Sequence, residues 1–223
     1  MITILEETTK NPITLMGARA GVCWGADIAD NEKNYNRGLD CIKSGHGRVM
    51  EYVNVEMVID GYSARVIREW YTHIGGAPTR LQASTRYINY KTFDIVVPPS
   101  VAKAGKEAEN AVSETIAKIK DTLALLEEAG VPREDCAMLL PLGMTTKIVD
   151  KRNLRNLVDM SHQRRCTRAF WEYRKLFAEL SDSLAAYSDE WKTLVEMLFM
   201  PKCELAGFCT EKKSCGRKPK KAD

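Results

Sequence analysis

Histidine is scarce in this chain: three in 223 residues, at His46, His73 and His162. Few side chains therefore change charge near neutral pH. None of the three sits in the H-E-x-x-H pattern of a zinc hydrolase, and the G-x-S-x-G, G-x-x-x-x-G-K-[ST] and G-x-G-x-x-G signatures are missing too. Without a nucleophile–base arrangement, an enzymatic reading calls for an external cofactor to supply the chemistry. Long apolar runs are also lacking, and none approaches the ~20 residues of a membrane span. The opening MITILEETTKNPITL carries acids where a secretory signal carries bases. These features predict a cytoplasmic protein with no membrane partner. Strong charge is missing as well: 33 basic against 30 acidic residues give a net +3. That suits a small anionic ligand and gives little basis for nucleic-acid binding. Seven cysteines, an odd number, do not read as a secreted disulfide framework, so they are expected as thiols or metal ligands.

What is present is an ordinary globular composition, 44% hydrophobic and 28% charged, enough to build a core. No repeat or long linker interrupts it. Residues 1–20 read as one or two short strands with turns, and 24–44 as helical. Val53, Val55, Met57 and Ile59 alternate with polar residues, which predicts a half-buried strand ended by an Asp60-Gly61 turn. Residues 63–71 follow as a helix capped by Ser63. A strand-like segment runs from Tyr87 to two prolines. Apolar residues at three- and four-residue steps predict one long helix over 101–129, stopped by Gly130. A short helix over 135–140, a strand over 147–151, a long helix over 153–180 and another over 189–200 complete the reading. Strands and helices mix without βαβ alternation, which favours an α+β fold with a mixed sheet flanked by long helices. Residues 1–200 are expected as a single catalytic domain. Residues 201–223 read as a flexible Cys/Lys-rich tail, in which Cys203, Cys209 and Cys215 at C-x5-C-x5-C are candidate zinc ligands or free thiols.

Polar chemistry gathers in four places. The first is Ser44-Gly45-His46-Gly47-Arg48 with Glu51, where glycines beside a histidine allow close approach of a flat ligand or of backbone. The second is Arg68-Glu69-Trp70-Tyr71-Thr72-His73. The third is the loop HIGGAPTRLQASTRYINY from His73 to Tyr90. Its Ser84, Thr85 and Arg86 combine hydroxyls and a planar fork, a set that suits a phosphate, although a polar hairpin loop fits the same residues. The fourth is helical. Arg155, Asp159 and Gln163 fall on one stripe, and Leu157, Ser161, Arg164 and Arg168 on the next, ending against Trp171. Spacing alone also allows a solvated face with intrahelical ion pairs and a surface-exposed His162.

Taken in order, CIKSGHGRVMEYVNVEMVIDGYSARVIREWYTH, ASTRY, LLPLGMTTKIV and NLRNLVDMSHQRRCTRAFWEYR resemble the flavin-dependent thymidylate synthases over about residues 41–174. The resemblance implies a homotetramer whose active sites are shared between subunits. It implies FAD as cofactor, NADPH as reductant and 5,10-methylenetetrahydrofolate as co-substrate in the methylation of dUMP at C5, with no cysteine nucleophile. It places His46, Arg48, Glu51, His73, Asn153, Arg155 and Asp159 at the flavin. Glu69, Arg80, Gln82, Ser84, Thr85, Arg86 and Arg164 fall at the nucleotide, with Arg164 polarising the pyrimidine as the catalytic residue.

Arginines of the family pattern are missing at three positions, and Glu69, Gln82 and Asp159 stand where the family more often has Gln, Glu, and His or Asn. The R-H-R signature reads Thr72-His73-Ile74, with an insertion through Gly75-Gly76, and an arginine before the L-P element is Ala137. Arg80 and the backbone N–H groups of the Gly-Gly turn are the expected replacements for the lost charge. A related enzyme modifying another pyrimidine at C5, or an inactive flavin- or nucleotide-binding paralogue, is the alternative.

Overall fold

A computed structural model describes residues 1–221, which cluster into two compact units. The first comprises Met1–Val58, Thr72–Arg80 and Val149–Asp223, and the second Ile59–Tyr71 and Leu81–Ile148. Among the described residues the strands are β1 (Ile2–Ile4), β2 (Asn54–Ser63), β3 (Thr79–Gln82) and β4 (Thr145–Asn153), in the order β1-β2-β4-β3. β2 and β4 run antiparallel, as the bonds Leu154 N–H to Val53 O and Ala64 N–H to Met144 O require. The division between units falls within both strands.

In the first unit, α1 (Pro12–Val22) and α2 (Asn31–Lys43) lie in backbone contact. A Cβ on Gly17 would stand 1.7 Å from Asn34 O, and one on Gly38 2.1 Å from Ile13 O. Only glycine allows that approach. The N-terminus of α1 is closed by Glu190, whose carboxylate accepts from Ile13 N–H at 2.6 Å and Thr14 N–H at 3.0 Å. A carboxylate there also complements the helix dipole. Later in the chain come α7 (Leu154–Arg164), α8 (Trp171–Tyr187), α9 (Asp189–Leu198) and the short α10 (Lys202–Ala206). Their apolar faces supply Leu154, Leu157, Met160, Leu176, Phe177, Leu180, Trp191 and Leu194, all fully buried with Val53, Val55 and Met57 of the β2 region.

The second unit holds α3 (Ala64–Tyr71), α4 (Pro99–Ala104), α5 (Lys106–Glu128) and α6 (Arg133–Cys136). Its core is Phe93, Leu123, Cys136 and Met144, with Ile116, Ile119, Leu126 and Leu140 packed against it.

The α+β class, the β2 alternation and the Ser63 cap agree with the sequence reading, the cap donated to by Val66 N–H at 3.2 Å. Other expectations need correction. Residues 12–22 form α1 rather than a strand, because Pro12 opens a helix at a position that needs no N–H donor. Helix α2 starts only at Asn31, where Asp30 accepts from Lys33 N–H. β2 continues through Gly61 at φ +76° to Ser63, so Asp60-Gly61 is a kink and not an end. Tyr87–Pro98 forms no strand, only the bridge Ile95–Met144. Gly105 splits the long helix into α4 and α5, and the 153–180 helix breaks between Arg164 and Trp171. The tail to residue 221 is not a loose end: α10 is followed by a Cys209–Lys220 bridge. Among the described residues no helix is long and apolar enough to cross a membrane.

Candidate active site

β4 delivers the site's buried charge. Alternation turns Asp150 and Arg152 inward while Lys151 points out to Glu56 at 2.6 Å. Arg152 is 1% exposed. Its Nε and Nη2 donate to the two oxygens of Asp150 at 2.5 and 2.8 Å, and Nη1 donates to Asn156 Oδ1 at 2.6 Å. A bidentate pair with further hydrogen bonds is the form in which buried ions persist. The next residue, Asn153, caps α7 by accepting from Asn156 N–H at 2.9 Å. One strand end thus fixes the pair, the cap and the start of α7.

The Gly75-Gly76 turn lies on that cap. A Cβ on Gly75 would stand 2.9 Å from Asn156 Nδ2, and one on Gly76 2.2 Å from Asn153 Nδ2. Gly76 also takes φ +71°. The two glycines therefore let the loop seat on the N-terminus of α7. Glu51, Asn153, Arg155, Asn156 and Asp159 join them around a cleft of about 220 Å³. Arg155 Nη1 donates to Glu51 at 2.6 Å. Arg155 also borders a second cleft of about 630 Å³ with His46, Arg48, Arg19, Trp24 and Tyr52. Trp24 and Tyr52 are 63% and 55% exposed. Exposed aromatic faces beside several guanidinium groups suit a flat aromatic ligand carrying phosphates.

At the far end of α7, Arg164 Nε donates to His73 Nε2 at 3.0 Å. Its guanidinium lies 4.7 Å from the centroid of the Tyr173 ring. His73 meets Tyr173 edge to face at 6.1 Å. Burial, then the charges of Arg164 and Arg152, lower the His73 pKa to about 4.

The expected nucleotide residues are divided. Arg80 belongs to the first unit and Glu69, Gln82, Ser84, Thr85 and Arg86 to the second. Gln82 Nε2 donates to Thr146 Oγ1 at 3.2 Å, and Arg86 N–H donates to Ser84 Oγ at 3.2 Å. Arg86 pairs with Glu134 at 2.9 Å, with both side chains more than half exposed. Such a pair is worth little and can be displaced by a tighter anion.

Two expectations for this region are corrected. His162 is half-buried, not a surface residue, and burial lowers its pKa. Among the described residues no group of three or more His, Cys, Asp or Glu side chains is placed to hold a metal. Cys203, Cys209 and Cys215 line a cleft of about 330 Å³ with Cys166 and do not converge, so the zinc expectation is withdrawn. The reading also missed Asp150, Arg152, Asn156 and Tyr173. The D-x-R on the apolar-facing register of β4 was the available signal for the first two.

Comparison with known proteins follows this geometry. Residues 4–187 match the family model described as thymidylate synthase complementing protein. A flavin-dependent thymidylate synthase of Nitratidesulfovibrio vulgaris is 29% identical, over 95% of this chain and 92% of its own. That of Geobacter sulfurreducens is 32% identical over 79% and 78%. A solved structure of flavin-dependent thymidylate synthase ThyX from Helicobacter pylori, complexed with FAD and dUMP, superposes with a TM-score of 0.66. It covers 86% of this chain and 98% of that one, and at 18% identity it shows the fold alone. The chain therefore belongs to the thymidylate synthase complementing protein family, the family of the flavin-dependent thymidylate synthases.

Proposed function

We propose that the chain catalyses the reductive methylation of dUMP to dTMP, with FAD as resident cofactor, NADPH as reductant and 5,10-methylenetetrahydrofolate as one-carbon donor. The observation that carries the reading is Arg164, a family-motif arginine held in a defined pose by His73 and Tyr173. The residues present fit a flavin dinucleotide: the cleft around His46 offers exposed aromatic faces and the cations Arg19, Arg48 and Arg155. His46, Arg48, Glu51, Asn153, Arg155 and Asp159 would hold it. FAD, when bound, supplies hydride transfer, which no side chain of this chain can perform.

The protein's own part is binding and electrostatics. Ser84, Thr85 and Arg86 are assigned to the nucleotide phosphate, with Arg80, Gln82 and Glu69 as further nucleotide contacts. Arg164 is assigned to a pyrimidine carbonyl. As C5 becomes nucleophilic, negative charge grows on that oxygen, and a fixed guanidinium stabilises it without reorganisation. A homotetramer with subunit-shared sites, in the cytoplasm, completes the proposal.

One observation favours a second reading. Thr72, Ile74 and Ala137 replace three arginines of the family pattern, so a different pyrimidine nucleotide is the alternative substrate. The experiment is an absorbance spectrum of the purified protein with added FAD, then NADPH oxidation and product mass with dUMP, dCMP or no nucleotide. Retained flavin with dTMP formed from dUMP supports the proposal. Retained flavin with a response to another nucleotide selects the second reading. No flavin retention rejects both.

A further inference from the structure

Three separate elements meet on the guanidinium of Arg164. Helix α7 carries it, the loop after α3 brings His73 to its Nε, and the first turn of α8 lays Tyr173 beneath it. The two holders also touch each other, at 6.1 Å between ring centroids and an interplanar angle of 73°. An arginine on a helix end has four rotatable side-chain bonds and high rotamer entropy. Here an acceptor fixes the Nε edge and an aromatic face fixes the plane.

The chemistry of the bond specifies one state of His73. Arg Nε–H can only donate, so His73 Nε2 must carry a lone pair and Nδ1 the proton. A protonated imidazole would lose the acceptor and set a second cation against Arg164. The surroundings oppose that. Burial and the guanidinium groups of Arg164 and Arg152 favour the neutral ring, and the Arg152 charge is itself fixed by its bidentate contact with Asp150. The residues flanking His73 are Thr72 and Ile74, which bring no charge of their own.

We propose that His73 and Tyr173 are positioning residues for Arg164, His73 as an acceptor that stays neutral through the neutral pH range and Tyr173 as the face that sets the plane of the guanidinium. The proposal rests on the thymidylate-synthesis reading for its kinetic consequence and on geometry alone for the state of His73. It differs from the role that the family resemblance implies for His73, contact with flavin. Here the Nε2 lone pair is committed to the arginine.

The test has two arms. With only three histidines, 15N-labelled histidine gives a spectrum in which His73→Gln identifies the His73 signals by their loss. The expected result is the Nδ1–H tautomer with a titration midpoint near 4, moving up in Arg164→Leu but staying below the ordinary ~6.5, because burial, the largest cause, and the Arg152 charge remain. A midpoint near 6.5 in the wild type, or the Nε2–H tautomer, overturns the proposal. In the kinetic arm, His73→Leu and Tyr173→Leu are expected to lower kcat by ~10–100-fold while nucleotide affinity changes by less than ~3-fold. His73→Gln, which restores an acceptor oxygen, and Tyr173→Phe, which restores the face, are expected to recover most of the loss. Failure of the conservative variants to recover kcat, with folding intact by circular dichroism, overturns the positioning role. If the wild type shows no turnover of dUMP, the functional reading fails, and the spectral arm still decides the state of His73.

Discussion

Asp150 and Arg152 are the residues whose removal should matter most outside the ligand contacts. Neither side chain reaches solvent, and each satisfies the other's charge. Arg152→Met leaves a buried carboxylate with no cation, and an uncompensated buried charge costs ~3–5 kcal/mol. The double variant Asp150→Leu/Arg152→Met removes both charges and is expected to cost less than Arg152→Met alone, because a well-packed apolar pair can replace a buried ion pair at small cost. Urea unfolding of the two variants checks it: equal or greater loss in the double variant would mean that the unpaired Asp150 carboxylate is not what destabilises Arg152→Met. The same environment gives His73 a stability signature. Its folded pKa, about 4, lies below the ordinary 6.5. The unfolded chain therefore binds more protons between those values, and stability falls as pH drops from about 6.5 to about 4. The slope from this group is at most about 1.4 kcal/mol per pH unit. His73→Gln should lose less stability than the wild type over that window. The half-buried His162 and the carboxylates contribute alike to both proteins and cancel in the comparison.

At the scale of elements, the seat of the Gly75-Gly76 turn on α7 makes a coupled prediction. Gly76→Ala introduces a Cβ 2.2 Å from Asn153 Nδ2 at a backbone angle that L residues avoid. Asn153→Ala removes the cap at a cost of ~1 kcal/mol. If the turn rests on the cap, the double variant is less unstable than the two single losses summed, because the clash goes with the amide. Strict additivity in thermal unfolding would mean that the turn does not bear on Asn153. This contact explains why the loop was only partly legible in sequence. Its residue types pointed to a ligand-holding loop, yet what the glycines themselves meet, the amides of two asparagines about 80 positions away, leaves no local pattern. Elements with a strong period were legible: the inward set Val53, Val55, Met57 and Ile59, the Ser63 cap and the Gly130 stop. Failures fell at single residues that interrupt a continuing pattern. Gly105 at φ +101° splits a heptad-like run that otherwise reads straight through, and the Arg165–Phe170 segment ends α7 where helical spacing alone would carry it on to Trp171. Motif order made Asn153, Arg155, Asp159 and Arg164 legible as candidates, and the structure sets them on α7 and its cap. Tyr173 was not, because an aromatic at a helical core position carries no sign that its face holds a cation.

Over the whole molecule, seven thiols stand in different surroundings, and that contrast is measurable. Cys215 is exposed, and its pKa is lowered first by a hydrogen bond from the Thr167 side chain, then by the Arg217 backbone N–H. Cys41 is buried, and burial raises its pKa. Cys23 is exposed like Cys215 but lacks that hydrogen-bonded setting among the described contacts. The thiolate is the reacting form, so alkylation rate follows both access and acidity. With iodoacetamide at neutral pH, peptide mass spectrometry should find Cys215 modified first, Cys23 later, and Cys41 only when the protein is unfolded. The order also tests the folded tail. Arg168 reaches Glu211 at 3.1 Å, Lys218 reaches Glu204 at 2.8 Å, and Cys209 N–H donates to Pro219 O at 2.7 Å. These contacts hold residues 204–219 against one another and against the segment after α7, and they keep Thr167 beside Cys215. If the tail were a solvated strand of chain, as its lysine-rich composition suggested, Cys203, Cys209 and Cys215 would react at one common rate. A fast Cys215 beside a slow, buried Cys209 requires the fold. High salt weakens the exposed Arg168–Glu211 pair and, less so, the half-buried Lys218–Glu204 pair, so raising it should narrow the gap between Cys215 and Cys209 without exposing Cys41, which is enclosed by the first unit's core rather than by surface charge.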